Sequence, residues 1–139
     1  MPVSWAIQDG IVVLRFVGHC STQEVKQASS DALRSPEFRT GMPLLVDARS
    51  SLTYPSLDEI HQRFQWLASL REKGLSHRCA VVAAKARESM HRRRITSAMI
   101  FGIDMHVCTS TDEAFAWLQS KPVRREAKIK SSTAKIVAT

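Results

Sequence analysis

Residues 43–47, Pro43-Leu44-Leu45-Val46-Asp47, decide the fold. An unbroken apolar run closed by an acid shows no alternation of inward and outward residues. It reads as a strand covered on both faces, with its polar end at the carboxyl edge of a parallel sheet. Arg78 to Ala84 is a second run of this kind, and Asp104 to Cys108 supplies a third. Between and after them lie helical patterns. Ser56-Leu57-Asp58-Glu59 is a capping box, in which the serine and the glutamate satisfy each other's free amides at a helix start. The helix that follows sets Leu57, Ile60, Phe64, Leu67 and Ala68 on one face and stops at Gly74. Glu88 to Phe101 reads as one helix with Ile95, Ala98 and Met99 inward and Gly102 at its end. Ser110-Thr111-Asp112-Glu113 is a further capping box, opening a short helix through Ala114, Phe115, Trp117 and Leu118.

Toward the N-terminus the period changes to two. Val3 to Ile7 alternates weakly, Asp9-Gly10 is a strong two-residue hairpin signal, and Ile11 to Val17 is the β-branched return strand. Ser21-Thr22-Gln23-Glu24 then caps a helix carrying Val25, Ala28, Ala32 and Leu33, closed by Pro36. The order is β-β-α-β-α-β-α-β-α. It predicts an α/β domain over residues 1–120: an N-terminal β-hairpin, then alternating β-α units, giving a mostly parallel five-stranded sheet with about four helices. Periodicity ends after Lys121-Pro122, and residues 121–139 read as a basic, flexible C-terminal tail.

The chain has 139 residues, 44% of them apolar and 24% charged, which fits one ordinary globular domain and excludes fibrous, disordered and disulfide-stapled classes. The net charge of +7 suggests nucleic acid until it is divided along the chain. Six of the 20 basic residues but only Glu126 among the acids fall in the tail, leaving 14 basic and 12 acidic side chains in residues 1–120. A specific nucleic-acid protein is therefore not expected. Cys79 to Ala84, the longest apolar run, is far too short for a membrane span. No signal-peptide pattern opens the sequence, and three cysteines without metal-ligand spacing favour a reducing cytoplasm.

The chain has no phosphate-binding glycine loop, dinucleotide fingerprint, Gly-x-Ser-x-Gly elbow, Cys-x-x-Cys pair or paired-histidine box. No enzyme, cofactor or metal is expected. Cys79 and Cys108 read as small core residues. An acid–base pair such as Asp47 with His77 or His106 would need a proximity that sequence does not give.

Leu44-Leu45-Val46-Asp47-Ala48-Arg49, the Ser56-initiated helix, the Arg92-Arg93-Arg94-Ile95 helix and the closing Thr111-to-Leu118 segment together resemble the STAS domain. That family includes anti-sigma factor antagonists and the tails of sulfate transporters. The resemblance is greater to its single-domain, STAS/SEC14-like bacterial branch and covers about residues 3–120. In its phospho-switched members Asp-Ser-Ser-Gly stands at the helix start after the strand-end acid. Here those positions hold Pro55, Ser56, Leu57 and Asp58, so only the first serine is matched, at Ser56. The resemblance implies a non-catalytic regulatory module that binds a protein partner and is switched by phosphorylation at a helix N-terminus. Its SEC14 side implies the alternative, a small-molecule or lipid-binding protein with a hydrophobic pocket; Met90, Met99, Ile100, Phe101 and Trp66 are candidates for lining it.

The candidate site residues each carry two readings. Ser56 is a candidate phosphorylation site at a helix N-terminus, or simply an N-cap hydroxyl. Asp47 and Arg49, at the carboxyl end of a parallel strand, are placed where open α/β sheets take ligands, with Ser50 and Tyr54 in the loop beyond; equally, Asp47 could accept loop amides. Trp66 lies nearly opposite Phe64 on its helix with Leu70 on the same flank, which suggests a partner surface or homodimer contact, or packing under another element. Arg92 and Arg93 form a candidate anion-binding cluster, or a solvated face.

Overall fold

The computed structural model describes residues 2–120; the tail expected over 121–139 lies outside the described residues. The elements are β1 (Val3–Gln8), β2 (Ile11–Gly18), α1 (Thr22–Leu33), β3 (Leu44–Ser51), α2 (Leu57–Ser69), β4 (Arg78–Val82), α3 (Glu88–Arg92), α4 (Ile95–Ile100), β5 (Asp104–Cys108) and α5 (Thr111–Gln119). Short 3-10 turns precede β4 and α3. Asp9 and Gly10 both adopt left-handed φ, 52° and 76°, which matches the two-residue turn to the twist of β1 and β2.

The five strands pair in chain order, β1 antiparallel to β2 and the rest parallel. With sequential order and right-handed crossovers, every crossover helix falls on the same face of the sheet. The larger core lies there, where Leu14, Phe16, Val46 and Val81 meet Val25 and Ala28 of α1, Ile60 and Phe64 of α2, and Ala98 of α4. Helix α5 follows the last strand and covers the opposite face, packing Ala114 and Leu118 on Leu45, Ala80, Val82 and Cys108. The strands β3 and β4 read as continuous apolar runs because both of their faces are covered in this way. Arg78, itself buried, holds α5 in place by donating to the carbonyls of Trp117 and Ser120 at 3.0 Å each, with its guanidinium 4.1 Å from the Trp117 ring centroid.

Local structure departs from the sequence pattern at four points. β3 runs on to Ser51, because Ser50 and Ser51 pair with Val17 and Gly18 of β2 across a register shift, so Ser50 is strand rather than loop. The helix expected over Glu88 to Phe101 is two helices. Hydrogen bonding tightens from i−4 at Arg93 to i−3 at Arg94, and α4 restarts at the β-branched pair Ile95-Thr96. Met99, expected inward, is thereby 66% exposed, while Phe101 packs against Phe64. Leu57, also expected inward, is 66% exposed because the first residue of α2 lies beyond the core. The capping boxes of α1 and α2 are both reciprocal, whereas at α5 the Glu113 carboxylate lies 3.0 Å from His106 Nε2 instead of returning to the cap.

Candidate ligand-binding site

The acid at the end of the β3 run lies on the α5 face of the sheet and is occupied. Asp47 is 5% exposed, and Arg49 donates to both its carboxylate oxygens, at 2.9 and 2.8 Å, while Arg15 stands 3.7 Å away. The Arg49 hydrogen bonds hold the Asp47 carboxyl below its ordinary range despite burial. It is a fixed anion, and among the described residues no ion pair or hydrogen bond joins it to His77 or His106. Ser50 is exposed on β3, and the exposed Tyr54 ring stacks on the Arg87 guanidinium at 4.3 Å.

Two expected surface residues are instead packed. Trp66 Nε1 donates to Ser29 Oγ at 2.8 Å, with Lys26 Nζ 5.5 Å from the ring centroid, so the indole is covered by α1. Leu70 is 1% exposed. A helical wheel with one buried stripe misplaces both, because α2 packs on the sheet along one flank and on α1 along the other. The basic run divides as well. Arg93 is exposed, and Arg92 is exposed and paired with Glu88 at 2.9 Å, whereas His91 and Arg94 are half-buried and turn inward. The spacing i, i+3 was the available signal for that inward pair.

His91 and Arg94 point to an apolar cavity of about 90 Å³ between the crossover face of the sheet and helices α2 and α3. Leu14, Phe16, Val46, Cys79, Val81 and Phe64 supply most of its wall. Its polar groups are few: Ser51, Thr53, Arg63, His91 and Arg94. Arg63 reaches across from α2, its Nε donating to Thr22 Oγ1 and a terminal nitrogen to the Cys20 carbonyl, each at 3.0 Å. Burial lowers the proton affinity of the Arg63 guanidinium, and burial together with repulsion from Arg63 lowers that of Arg94. Burial, Arg94 and Arg87 push His91 down to about 4, so its ring is neutral at neutral pH.

Two half-buried cations thus repel each other beside an apolar cavity. Glu59, the acid that acts on Arg63 electrostatically, is committed to the amide and hydroxyl of Ser56. Among the described residues no ion pair reaches Arg94. Among the described residues no hydrogen bond joins a nucleophile to a base at this cavity; the Cys79 thiol is pushed up to about 12 by burial, and Cys20 is also raised. What it can do is bind: an apolar body in the cavity, an anion on the arginines. Sequence reading did not find Arg63, since only the crossover of α2 brings it to Arg94.

On the other face, ligand atoms of His106, Cys108 and Glu113 lie within 4.8 Å of one another. Cys108 directs its sulfur at the Ser110 and Val81 carbonyls, and burial raises its thiol, so the cysteine is held as a thiol donor. Among the described residues no helix is long and apolar enough to cross a membrane.

No protein-family model and no curated protein matches the chain. Among solved structures it is similar to an uncharacterized protein of the DUF3478 family from Shewanella loihica, described as having a SpoIIAA-like fold. The two share 15% identity over 84% of this chain and 91% of that one, with a TM-score of 0.54. At that identity the likeness shows the fold: the chain has the SpoIIAA-like, STAS-type α/β architecture that its element order predicts.

Proposed function

We propose that this protein is a non-catalytic regulatory module that binds a small ligand with an apolar body and an anionic head in the cavity beneath α2 and α3. One observation carries the reading: Arg63 and Arg94, half-buried and mutually repelling, stand over an apolar cavity, and among the described residues no carboxylate pairs with the second of them. An anion bound there removes the repulsion and completes the hydrogen bonding of the guanidinium, so the site favours an occupied state. Three buried free cysteines accord with a reducing cytoplasmic setting. Native and denaturing mass spectrometry of protein purified from its own host tests the reading. A small-molecule increment lost on denaturation, and absent from an Arg94→Met variant, supports it; an increment that survives Arg94→Met refutes the site.

A second reading rests on the carboxyl edge of the sheet. Leu52, Tyr54 and Leu57 are 54%, 67% and 66% exposed and flank Ser56, whose hydroxyl caps α2. These side chains would form a docking surface for a protein partner, and a phosphate on Ser56 would add roughly two negative charges at its centre. Phosphorylation would also break the capping contact with Glu59, coupling the mark to the start of α2. Mapping by cross-linking tests it: a partner joined through residues 52–57 and released by Ser56→Glu supports the switch. A partner bound equally by Ser56→Glu and wild type removes it.

A further inference from the structure

Size and charge at the cavity define the ligand more narrowly, given the ligand-binding reading above. We infer that the site takes a short-chain monocarboxylate, an aliphatic acid whose body is about four carbons long, rather than a long-chain lipid or a phosphate ester. Size decides the body. The cavity holds about 90 Å³. An apolar cavity of about 150 Å³ is what admits a benzene ring, and drug-sized ligands occupy roughly 300 Å³ or more. A body smaller than benzene fills this cavity; an extended acyl chain exceeds it and would have to run out through its open side into water or displace the buried side chains Leu14, Val46 and Phe64.

Charge decides the head. Of the two guanidinium groups, Arg63 already spends its Nε and one terminal nitrogen on Thr22 and Cys20. Glu59 also offsets part of the Arg63 charge. Among the described residues no group accepts a hydrogen bond from the Arg94 guanidinium, and one planar fork matches one carboxylate with two parallel hydrogen bonds. His91 is neutral and adds no charge. One free guanidinium fork suits a monoanion; a phosphate monoester would bring about 1.5 to 2 negative charges and a third oxygen with no second free fork to meet it.

Isothermal titration of the protein with isovalerate, decanoate, palmitate, isobutyl phosphate and the neutral isovaleramide separates the alternatives. Isovalerate is expected to bind about tenfold or more tightly than its amide, because the amide forfeits charge-assisted hydrogen bonds. Arg94→Met is expected to abolish that preference, and Val46→Ile, which adds one methylene at the cavity wall, to weaken isovalerate while leaving the fold intact. Decanoate or palmitate binding more tightly than isovalerate would overturn the short-chain assignment and leave the ligand-binding reading standing. Isobutyl phosphate binding more tightly would overturn the carboxylate. Binding by none of the five would remove both this inference and the reading beneath it.

Discussion

Lowering the pH from 7 to 5 should destabilise this protein through His91. The imidazole lines the cavity beside Arg94 and Arg87, and burial with those two charges brings it from the ordinary 6.5 to about 4. Between those values the unfolded chain binds a proton that the folded chain does not, so stability rises with pH across the window and is lost as pH falls. Complete linkage over that gap corresponds to about 3.4 kcal/mol, of which about 1.8 kcal/mol has appeared by pH 5. The ring is only half-buried, and solvent screening reduces the expected loss at pH 5 to about 1 kcal/mol. Urea melts of wild type and His91→Gln at pH 7, 6 and 5 measure it. Wild type should lose about 1 kcal/mol more than the variant, or about 4 °C in Tm. Asp47, whose carboxyl is lowered by Arg49, adds its own loss only as pH falls below its ordinary 3.8, outside this interval. Parallel pH profiles for the two proteins would refute the reasoning, since they would mean that His91 is protonated as easily folded as unfolded.

Three further outcomes follow from the same geometry. Arg94→Met should stabilise the ligand-free protein by about 0.5–1 kcal/mol in thermal melts, because it removes a half-buried cation repelled by Arg63; a destabilised variant would mean that Arg94 serves the fold. Ser29→Ala strands Trp66 Nε1 without its acceptor and should cost about 1–2 kcal/mol in urea melts, a cost that Trp66→Phe in the same chain largely cancels. Asp47→Asn leaves Arg49 and Arg15 facing a neutral amide and should cost about 1–2 kcal/mol at pH 7, the outer ends of both arginines staying hydrated; the difference should shrink in melts at progressively lower pH, as the wild-type carboxyl takes up its proton below the ordinary carboxylate range.

The sheet was legible in the sequence because its signals are local or obligatory. Asp9-Gly10 specifies a turn by itself, and Ser21 and Ser56 cap their helices through residues three positions away. Residues 44–47 and 78–82 could only be strands covered on both sides, which forces helices onto both faces. The site was not legible, for two reasons. Arg63 and Arg94 are brought to one cavity only by the fold, across 31 positions of sequence. Trp66 was read from a wheel that assumes one packing partner, whereas α2 has the sheet on one side and α1 on the other. The break at Arg93-Arg94 was hidden as well, because the apolar spacing of Ile95 and Ala98 continues the helical period through a turn that the hydrogen bonds do not.

The cavity and the arginines are each unfavourable in the absence of a ligand. An apolar recess of about 90 Å³ with no occupant forfeits the packing contacts that its lining would otherwise make. Repulsion between Arg63 and Arg94 adds to that. Simple changes would relieve both: an isoleucine for Val46 or Val81 fills space, and a methionine for Arg94 removes the charge. A sheet in strict sequential order makes such relief easy, since all three crossover connections lie on the same face and can settle against it. Two unrelieved penalties in different energetic terms, one of volume and one of charge, coincide at a single place between α2 and α3. A packing fault would account for the first and a surface charge cluster for the second. Their coincidence is accounted for by a ligand that fills the volume with its body and neutralises the charge with its head, because that one occupant cancels both.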